Sequence, residues 1–173
     1  RSLVGSEMCI RDRLSRIESG NMSFHCEDCS AHHFAETVYQ THQVIILPPV
    51  EFIKEFPDED VTIHIDRMRL TQVITNFLGN AKKFTSQGHI KLGYFCDKEK
   101  KEIHFFVEDT GAGIPKEELQ MIFERFYKRN EFVQGVGLGL AISKVIVEKM
   151  NGHIDVQSEV NKGSRFTAVL PYL

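Results

Sequence analysis

Apolar residues recur at helical spacing in one long segment of the chain, from Asp66 to about Phe84. The apolar side of this segment consists of Met68, Val73, Ile74, Phe77 and Leu78. A repeat near 3.6 residues predicts an amphipathic helix, the clearest one in the sequence. A second helix is predicted over Ala31 to Gln43, where Ser30 is a suitable N-cap and Phe34 and Val38 stand at i, i+4 spacing.

Alternating apolar and polar residues predict several short strands. These strands are Met22 to Cys26, Glu51 to Glu55, Val61 to Ile65, His89 to Cys96, Glu102 to Glu108, His153 to Ser158 and Ser164 to Leu170. Two further helices are predicted, from Lys116 to Phe126 and from about Gly137 to Met150. Consecutive hairpins with a few helices indicate an α+β fold, a two-layer α/β sandwich whose mixed, mostly antiparallel sheet carries its helices on one face.

The first residues of the chain show no such periodicity. Residues 1–13 resemble translated sequencing adapter, so we expect an artefact or a disordered segment and leave them out of the fold reasoning. The alternative is that Ile10 to Ile17 is the tail of a helix. Residues 14–20 read as a helix end with Gly20 as its cap, which leaves 21–173 as the domain proper.

Composition narrows the function classes. The 173 residues carry 21 Lys and Arg against 24 Asp and Glu, a formal charge of −3, and no dense basic stripe, which argues against nucleic acid as a partner. The charge-poor stretches are much shorter than the roughly 20 apolar residues of a membrane span. Four irregularly spaced cysteines favour a reducing compartment.

Two glycine-rich segments and one polar helix face carry candidate chemistry. Asp109 to Pro115, DTGAGIP, follows a strand, where a carboxylate can accept a hydrogen bond from an exocyclic amine and glycines allow close approach of a ligand. Gly135 to Leu140, GVGLGL, opens a predicted helix, whose free amides suit a phosphate, yet its spacing fits neither a dinucleotide fold nor a P-loop. Asn76 and Asn80 lie one helical turn apart, with Lys83 nearby.

The order of these motifs resembles the catalytic and ATP-binding domain of sensor histidine kinases, in the superfamily of gyrase-type and chaperone ATPases. The matching segments are LSRIESG (dimerisation helix end), NFLGNAKKFT (asparagine box), DTGAGIP and GVGLGLAISK (glycine boxes), IFERFYK (phenylalanine box) and NKGSRF (last box). The resemblance implies ATP and magnesium as ligands, an upstream dimerisation and histidine phosphotransfer domain and a response regulator as partners, and a homodimeric full-length protein. It also implies the cytoplasmic side of the membrane, with any anchor outside this chain.

The resemblance also implies roles for individual residues. The nucleotide site would comprise Asn76, Asn80, Lys83, Phe84, Asp109, Gly111, Gly113, Ile114, Lys128, Gly135, Gly137, Leu138, Gly139, Leu140 and Phe166. Asn80 would coordinate magnesium, and Asn76 and Lys83 would be the catalytic residues at the polyphosphate. Lys128 would reach phosphate oxygens, and Phe84 and Phe166 would line the adenine, whose amine Asp109 would read.

The sequence also departs from the family's pattern. Val136 replaces the usual Thr, and the lid between Lys128 and Gly135 is short, which puts the grip on the γ-phosphate in doubt. A catalytically silent pseudokinase is therefore one alternative. Hydrolytic members of the superfamily carry a glutamate at the position of Asn76, and a carboxamide cannot accept the proton of an attacking water. This favours a kinase over the other alternative, a hydrolytic ATPase. None of the 8 histidines lies in the motif of the phosphoacceptor, so the acceptor is expected on a missing upstream domain.

A rival signal comes from Cys26, Cys29, His32 and His33, whose CxxC and paired histidines are typical of a zinc or redox site. A closed structural zinc site usually draws on a second ligand pair farther along the chain. We therefore favour Cys29 as a small buried hydrophobic residue.

Overall fold

The computed structural model describes residues 23–124 and 139–172. Its strands are β1 (Glu27–Ser30), β2 (Val50–Glu55), β3 (Thr62–Ile65), β4 (Gly88–Asp97), β5 (Glu102–Asp109), β6 (His153–Glu159) and β7 (Gly163–Pro171). Its helices are α1 (Ala31–Gln43), α2 (Arg67–Phe84), α3 (Lys116–Leu119) and α4 (Gly139–Lys149). This α+β architecture confirms the predicted fold class.

Five of the strands form one mixed sheet, in the order β2-β4-β5-β7-β6. Only the β2–β4 pair is parallel within it, and the other pairs are antiparallel. Strands β1 and β3 form a separate antiparallel pair. The strands predicted at His89 to Cys96 and Glu102 to Glu108 form a hairpin, because β4 and β5 pair from Ile90 opposite Asp109 to Asp97 opposite Glu102.

The helices bury their apolar faces against one face of the large sheet. Helix α2 contributes Leu70, Val73, Ile74, Phe77, Leu78 and Ala81 to the core, all at most 2% exposed. Alternate residues of β5, such as Ile103, Phe105 and Val107, meet them from the sheet. The outcome is a two-layer structure in which the helix and strand periods predicted from the sequence share one core.

Helix α1 begins and ends at the predicted residues, 31 and 43. The Ser30 side chain accepts a hydrogen bond from the His33 amide at 3.0 Å, as expected for an N-cap. Phe34 and Val38 are both buried, 2% and 3% exposed. Helix α2 is capped in the same way by Asp66, whose Oδ1 accepts from the Arg69 amide at 3.1 Å.

Several predicted boundaries are wrong. The first described strand is Glu27–Ser30, because β3 pairs from Glu27 onward. Of the predicted strand Met22 to Cys26, Met22 lies outside the described residues and the rest is not a strand, since the His25 amide donates to the Asp66 side chain instead of a strand partner. Met68 is 78% exposed, not on the buried face. Helix α3 ends at Leu119 and continues only as turns to Glu124.

Two other predictions concern membranes and metals. In residues 23–124 and 139–172, no helix combines the length and the hydropathy of a membrane span. Within the same ranges, no three His, Cys, Asp or Glu side chains come together as metal ligands. Cys26, Cys29, His32 and His33 therefore do not converge in the described structure. Cys29 is partly buried against the core, in line with the interpretation favoured above.

Candidate functional site

The last residue of β5, Asp109, lies at the centre of the candidate site. Its Cα pairs with Ile90 of β4 on one side and with Ser164 of β7 on the other, and the residue is 7% exposed. Its Oδ1 accepts a hydrogen bond from the Gly111 amide at 2.9 Å. The strand end thus holds a carboxylate in a fixed orientation under the glycine loop.

Burial raises the pKa of the Asp109 carboxyl above its ordinary value. Hydrogen bonds from the backbone amides of Gly111 and Ser164 oppose that rise, and the nearby Thr85 hydroxyl acts in the same direction, since all three favour the charged form. Thr85 Oγ1 is itself buried and forms no hydrogen bond of good geometry with any described residue. Asp109 is therefore a desolvated acceptor with spare capacity for a ligand.

The loop from Thr110 to Ile114 packs against the end of α2 and the β6–β7 turn. The Ala112 amide donates to the Phe84 carbonyl at 3.3 Å, and a β-carbon on Gly111 would lie 2.3 Å from that oxygen. Gly113 has φ +72°, and a β-carbon there would lie 2.0 Å from the Glu159 carbonyl oxygen. Both glycines are therefore required by close backbone approach.

Ile114 closes this loop on its other side. Its amide donates to Ser158 Oγ at 2.7 Å, which ties the loop to β6. The Asn161 amide donates to the Ala112 carbonyl at 2.8 Å, which ties it to the turn between β6 and β7. The loop that the sequence predicted as a ligand cradle is thus anchored on three sides.

The polar face of α2 approaches the same edge of the sheet. Asn76 and Asn80 are partly buried, Lys83 is exposed and Phe84, the last residue of the helix, is partly buried. Phe84 reaches the glycine loop through its carbonyl, as described above. One helix therefore carries two carboxamides and a cation on one face, and its last residue, Phe84, contacts the Asp109 loop.

Helix α4 begins directly beside Asn76. Asn76 Nδ2 donates to the Gly139 carbonyl at 3.1 Å and to Ser143 Oγ at 3.0 Å. Leu140 is partly buried against the core, one residue into the helix. The start of α4, which the sequence predicted as a phosphate cradle, thus lies on the asparagine face of α2.

Phe166 lies deeper than the other predicted residues. It is 5% exposed, and its ring centroid is 5.4 Å from that of Phe77 on α2. The four remaining predicted residues, Lys128, Gly135, Gly137 and Leu138, lie outside the described residues, as do Val136 and the lid.

Sequence reasoning missed two residues of the site, Ser143 and Thr85. Both are buried hydroxyls, 0% and 5% exposed. The available signal for the first was a serine three and four residues before Ile146 and Val147, which puts it on the same face of the helix as these apolar residues. Thr85 directly follows the predicted helix, where a polar residue is ordinary, and no local pattern indicated its burial.

A separate groove of about 610 Å³ lies between α1 and the first turns of α2, lined in part by Phe34, Val38 and Arg69. None of the predicted site residues lines it. The candidate site is therefore the sheet edge around Asp109, the asparagine face of α2 and the start of α4. It combines a buried acceptor carboxylate with carboxamides and a helix N-terminus, which suits a purine nucleotide with an anionic tail.

Comparison with known proteins supports the same interpretation, a nucleotide-binding site. Residues 65–173 match the family described as histidine kinase-, DNA gyrase B- and HSP90-like ATPases. The sensor histidine kinase WalK of Bacillus subtilis (strain 168) is 33% identical over 165 residues, 92% of this chain and 27% of that protein. The chain thus spans about a quarter of the length of this curated relative.

Two solved structures share the fold over most of the chain. Full-length ShkA in complex with AMPPNP has a TM-score of 0.84 at 27% identity, over 92% of this chain and 34% of that one. The catalytic domain of the histidine kinase ThkA has a TM-score of 0.76 at 28% identity, over 86% of this chain and 97% of that one.

Proposed function

The chain belongs to the family of histidine kinase-, DNA gyrase B- and HSP90-like ATPases, and from this we propose that it is the ATP-binding catalytic domain of a two-component sensor histidine kinase. The observation that carries the proposal is the convergence of Asp109, its glycine loop and the Asn76 face of α2 at one edge of the sheet. The names of the relatives, WalK and ThkA among them, support a kinase within this broader family.

The adenine binds at the Asp109 end of the site. The Asp109 carboxylate accepts a hydrogen bond from the exocyclic amine, while Gly111, Gly113 and Ile114 close the backbone loop on the base. Phe84 lines the base, and Phe166 backs the pocket from the sheet. The burial of Asp109 supports this role, because a desolvated acceptor discriminates strongly between an amine and a carbonyl oxygen on the base.

The polyphosphate lies between α2 and α4. The amides of Gly139 and Leu140 hold phosphate oxygens at the helix N-terminus, together with Gly135, Gly137 and Leu138, and Lys83 and Lys128 meet their charge. Positioning and charge neutralisation are the main contributions that a protein makes to phosphoryl transfer. Asn76 and Lys83 are the residues proposed to act at the reacting phosphate.

Magnesium fits the donor set only together with the nucleotide. Asn80 offers one carboxamide oxygen, and no acidic or histidine cluster of three lies in the described residues. A hard cation held by one neutral oxygen must take its other ligands from phosphates and water. When bound, the ion neutralises phosphate charge, and Asn80, supported by Asn76, holds it in register with the protein.

The phosphate acceptor is a histidine on a separate dimerisation domain. Residues 14–20 are the end of the dimerisation helix, and 21–173 form the catalytic domain. None of the 8 histidines of this chain has the sequence context of such an acceptor. The full-length protein acts as a homodimer at the cytoplasmic side of a membrane and passes the phosphate on to a response regulator.

Calorimetry with purified chain tests nucleotide binding directly. We expect micromolar-class binding of ATP and ADP, with magnesium required for the triphosphate because its charge is otherwise unpaired. GTP serves as the control ligand, since it presents a carbonyl oxygen where adenine presents the amine. No heat with either adenine nucleotide, from a sample shown to be folded by circular dichroism, would overturn the proposal.

A further inference from the structure

Ser143 is a completely buried hydroxyl between α2 and α4, and the proposed function gives it no role. It is 0% exposed, and its Oγ donates to the Gly139 carbonyl at 2.8 Å. The same Oγ accepts from Asn76 Nδ2 at 3.0 Å, and Nδ2 also donates to the Gly139 carbonyl at 3.1 Å. Three polar groups thus form a closed triangle in the contact between the two helices.

The chemistry of this triangle fixes the orientation of the Asn76 carboxamide. A backbone carbonyl only accepts hydrogen bonds, so the amide must present its NH₂ group to Gly139. The Ser143 hydroxyl donates its hydrogen bond to the same carbonyl, so towards Nδ2 it acts as an acceptor. In the opposite orientation Oδ1 would face the Gly139 carbonyl oxygen without a proton between them, and the Ser143 hydroxyl could donate to Oδ1 only by giving up its bond to that carbonyl.

Oδ1 is consequently left out of these bonds, although it lies beside the start of α4, where a β-carbon on Gly139 would be 3.7 Å from it. Among the described residues, every hydrogen bond of the Asn76 side chain runs from Nδ2. The oxygen keeps its lone pairs for a ligand on the face that Asn76 shares with Asn80. An amide with only the Gly139 carbonyl as partner would be held by one bond instead of two.

We propose that Ser143 is a positioning residue of the nucleotide site, which holds the Asn76 carboxamide with Oδ1 directed at the magnesium–polyphosphate group. This inference rests on the proposed function. It goes beyond it because Ser143 touches no nucleotide and acts through Asn76 alone. The competing account is a helix serine that merely bonds to the carbonyl one turn earlier.

The test compares two ligands in the wild-type chain and in Ser143→Ala. We expect the variant to bind magnesium–ATP roughly threefold to tenfold more weakly, the loss typical of one neutral hydrogen bond. Binding of ADP without magnesium should stay within about twofold, because the adenine side is untouched. Equal weakening of both ligands, or no weakening of either, would contradict the proposal.

Thr71→Ala is the matched control. Thr71 Oγ1 bonds to the Arg67 carbonyl one turn earlier at 2.7 Å, but it has no contact with the candidate site. If Ser143→Ala acts only by removing a bond from a side chain to the carbonyl one turn earlier, Ser143→Ala and Thr71→Ala should change the two affinities alike. We expect Thr71→Ala to leave both affinities unchanged.

A double-mutant cycle separates action through Asn76 from a direct effect. In an Asn76→Ala background, Ser143→Ala should cause no further loss of magnesium–ATP affinity, since the amide that it orients is gone. A full additional loss would contradict the positioning role. If the wild-type chain bound neither nucleotide, the proposed function itself would fail, and that outcome is distinct from failure of the Ser143 inference alone.

Discussion

The backbone of Gly111 lies directly against the Phe84 carbonyl, so that a β-carbon at position 111 would lie 2.3 Å from the carbonyl oxygen. The contact joins the glycine loop to the last residue of α2. It sets the distance between the acceptor Asp109, two residues before Gly111, and the asparagine face of the helix. The geometry of the site therefore depends on the absence of a side chain at one position.

Gly111→Ala should disrupt this contact. The added methyl group meets backbone, which cannot rotate away, so the loop must shift. We expect a loss of stability of about 1–3 kcal/mol, typical of overpacking, together with weaker ATP binding. Urea unfolding measures the first and calorimetry the second.

Gly79→Ala is the control for that experiment. Gly79 lies inside α2, and a β-carbon added there would have no neighbouring atom of residues 23–124 or 139–172 within 4 Å, so alanine fits this part of the structure. Alanine in a helix interior should add about 0.5–1 kcal/mol of stability. A Gly111→Ala variant as stable as Gly79→Ala, with unchanged ATP affinity, would show that the close approach has no importance.

Asp109→Asn tests how the base is read. The buried carboxylate accepts a hydrogen bond from the Gly111 amide at 2.9 Å and is proposed to accept another from the adenine amine. Loss of a hydrogen bond to a charged group costs roughly 1.5–3 kcal/mol, so ATP affinity should fall about tenfold or more. Selectivity for ATP over GTP should fall with it. If affinity and selectivity were unchanged, Asp109 would have a structural role in the turn and no role in recognition of the base.

The same carboxyl should leave a signature in the pH dependence of stability. Its pKa in the folded chain is raised above the ordinary 3.8, chiefly by burial. Between pH 3.8 and the higher pKa of the folded state, the folded chain therefore binds more protons than the unfolded chain. The contribution of this carboxyl to stability consequently falls as pH rises through that window.

Asp109→Asn removes this titration. The stability of the variant relative to the wild type should therefore increase as pH rises from about 4 towards neutrality, whatever its absolute stability. Urea unfolding of both proteins at matched pH values measures the difference. A difference that is constant with pH, or that shrinks, would contradict the raised pKa.

Lys83→Met tests the proposed phosphate contact. A lysine that meets phosphate oxygens in the complex contributes a charge-assisted interaction, so magnesium–ATP affinity should fall about tenfold. Lys82→Met is the matched control, because Lys82 is the exposed neighbour on the same last turn of α2 and points to a different side. Equal losses in the two variants would indicate a general effect of charge and not a contact.

Much of this fold follows from local patterns. The limits of α1 and the start of α2 were predictable because an N-cap residue precedes a regular apolar stripe in each case. Asp109 was predictable as a strand end followed by glycines. Met68 was assigned to the wrong face because, at 100° per residue, it lies on the side of α2 opposite Leu70 and Val73, where it is exposed.

The contacts between distant residues could not be read from the sequence. Asn76 and Ser143 are 67 residues apart, and nothing in either local pattern shows that an amide on one helix meets a hydroxyl on another. The Gly111 contact with Phe84 likewise depends on how a loop returns to a helix end. Residue types and spacing predicted the chemistry of the site, whereas its orientation required the packed structure.

Incubation of the chain with magnesium and γ-labelled ATP, with and without an acceptor dimerisation domain, tests the kinase proposal most directly. Asn76 offers no base for an attacking water, so the account predicts that the chain alone retains ATP intact with negligible release of free phosphate. Added acceptor domain, supplied with its histidine or with that histidine replaced, should become labelled only in the first case. Brisk magnesium-dependent phosphate release without any acceptor would contradict the account and identify the chain as a hydrolytic ATPase.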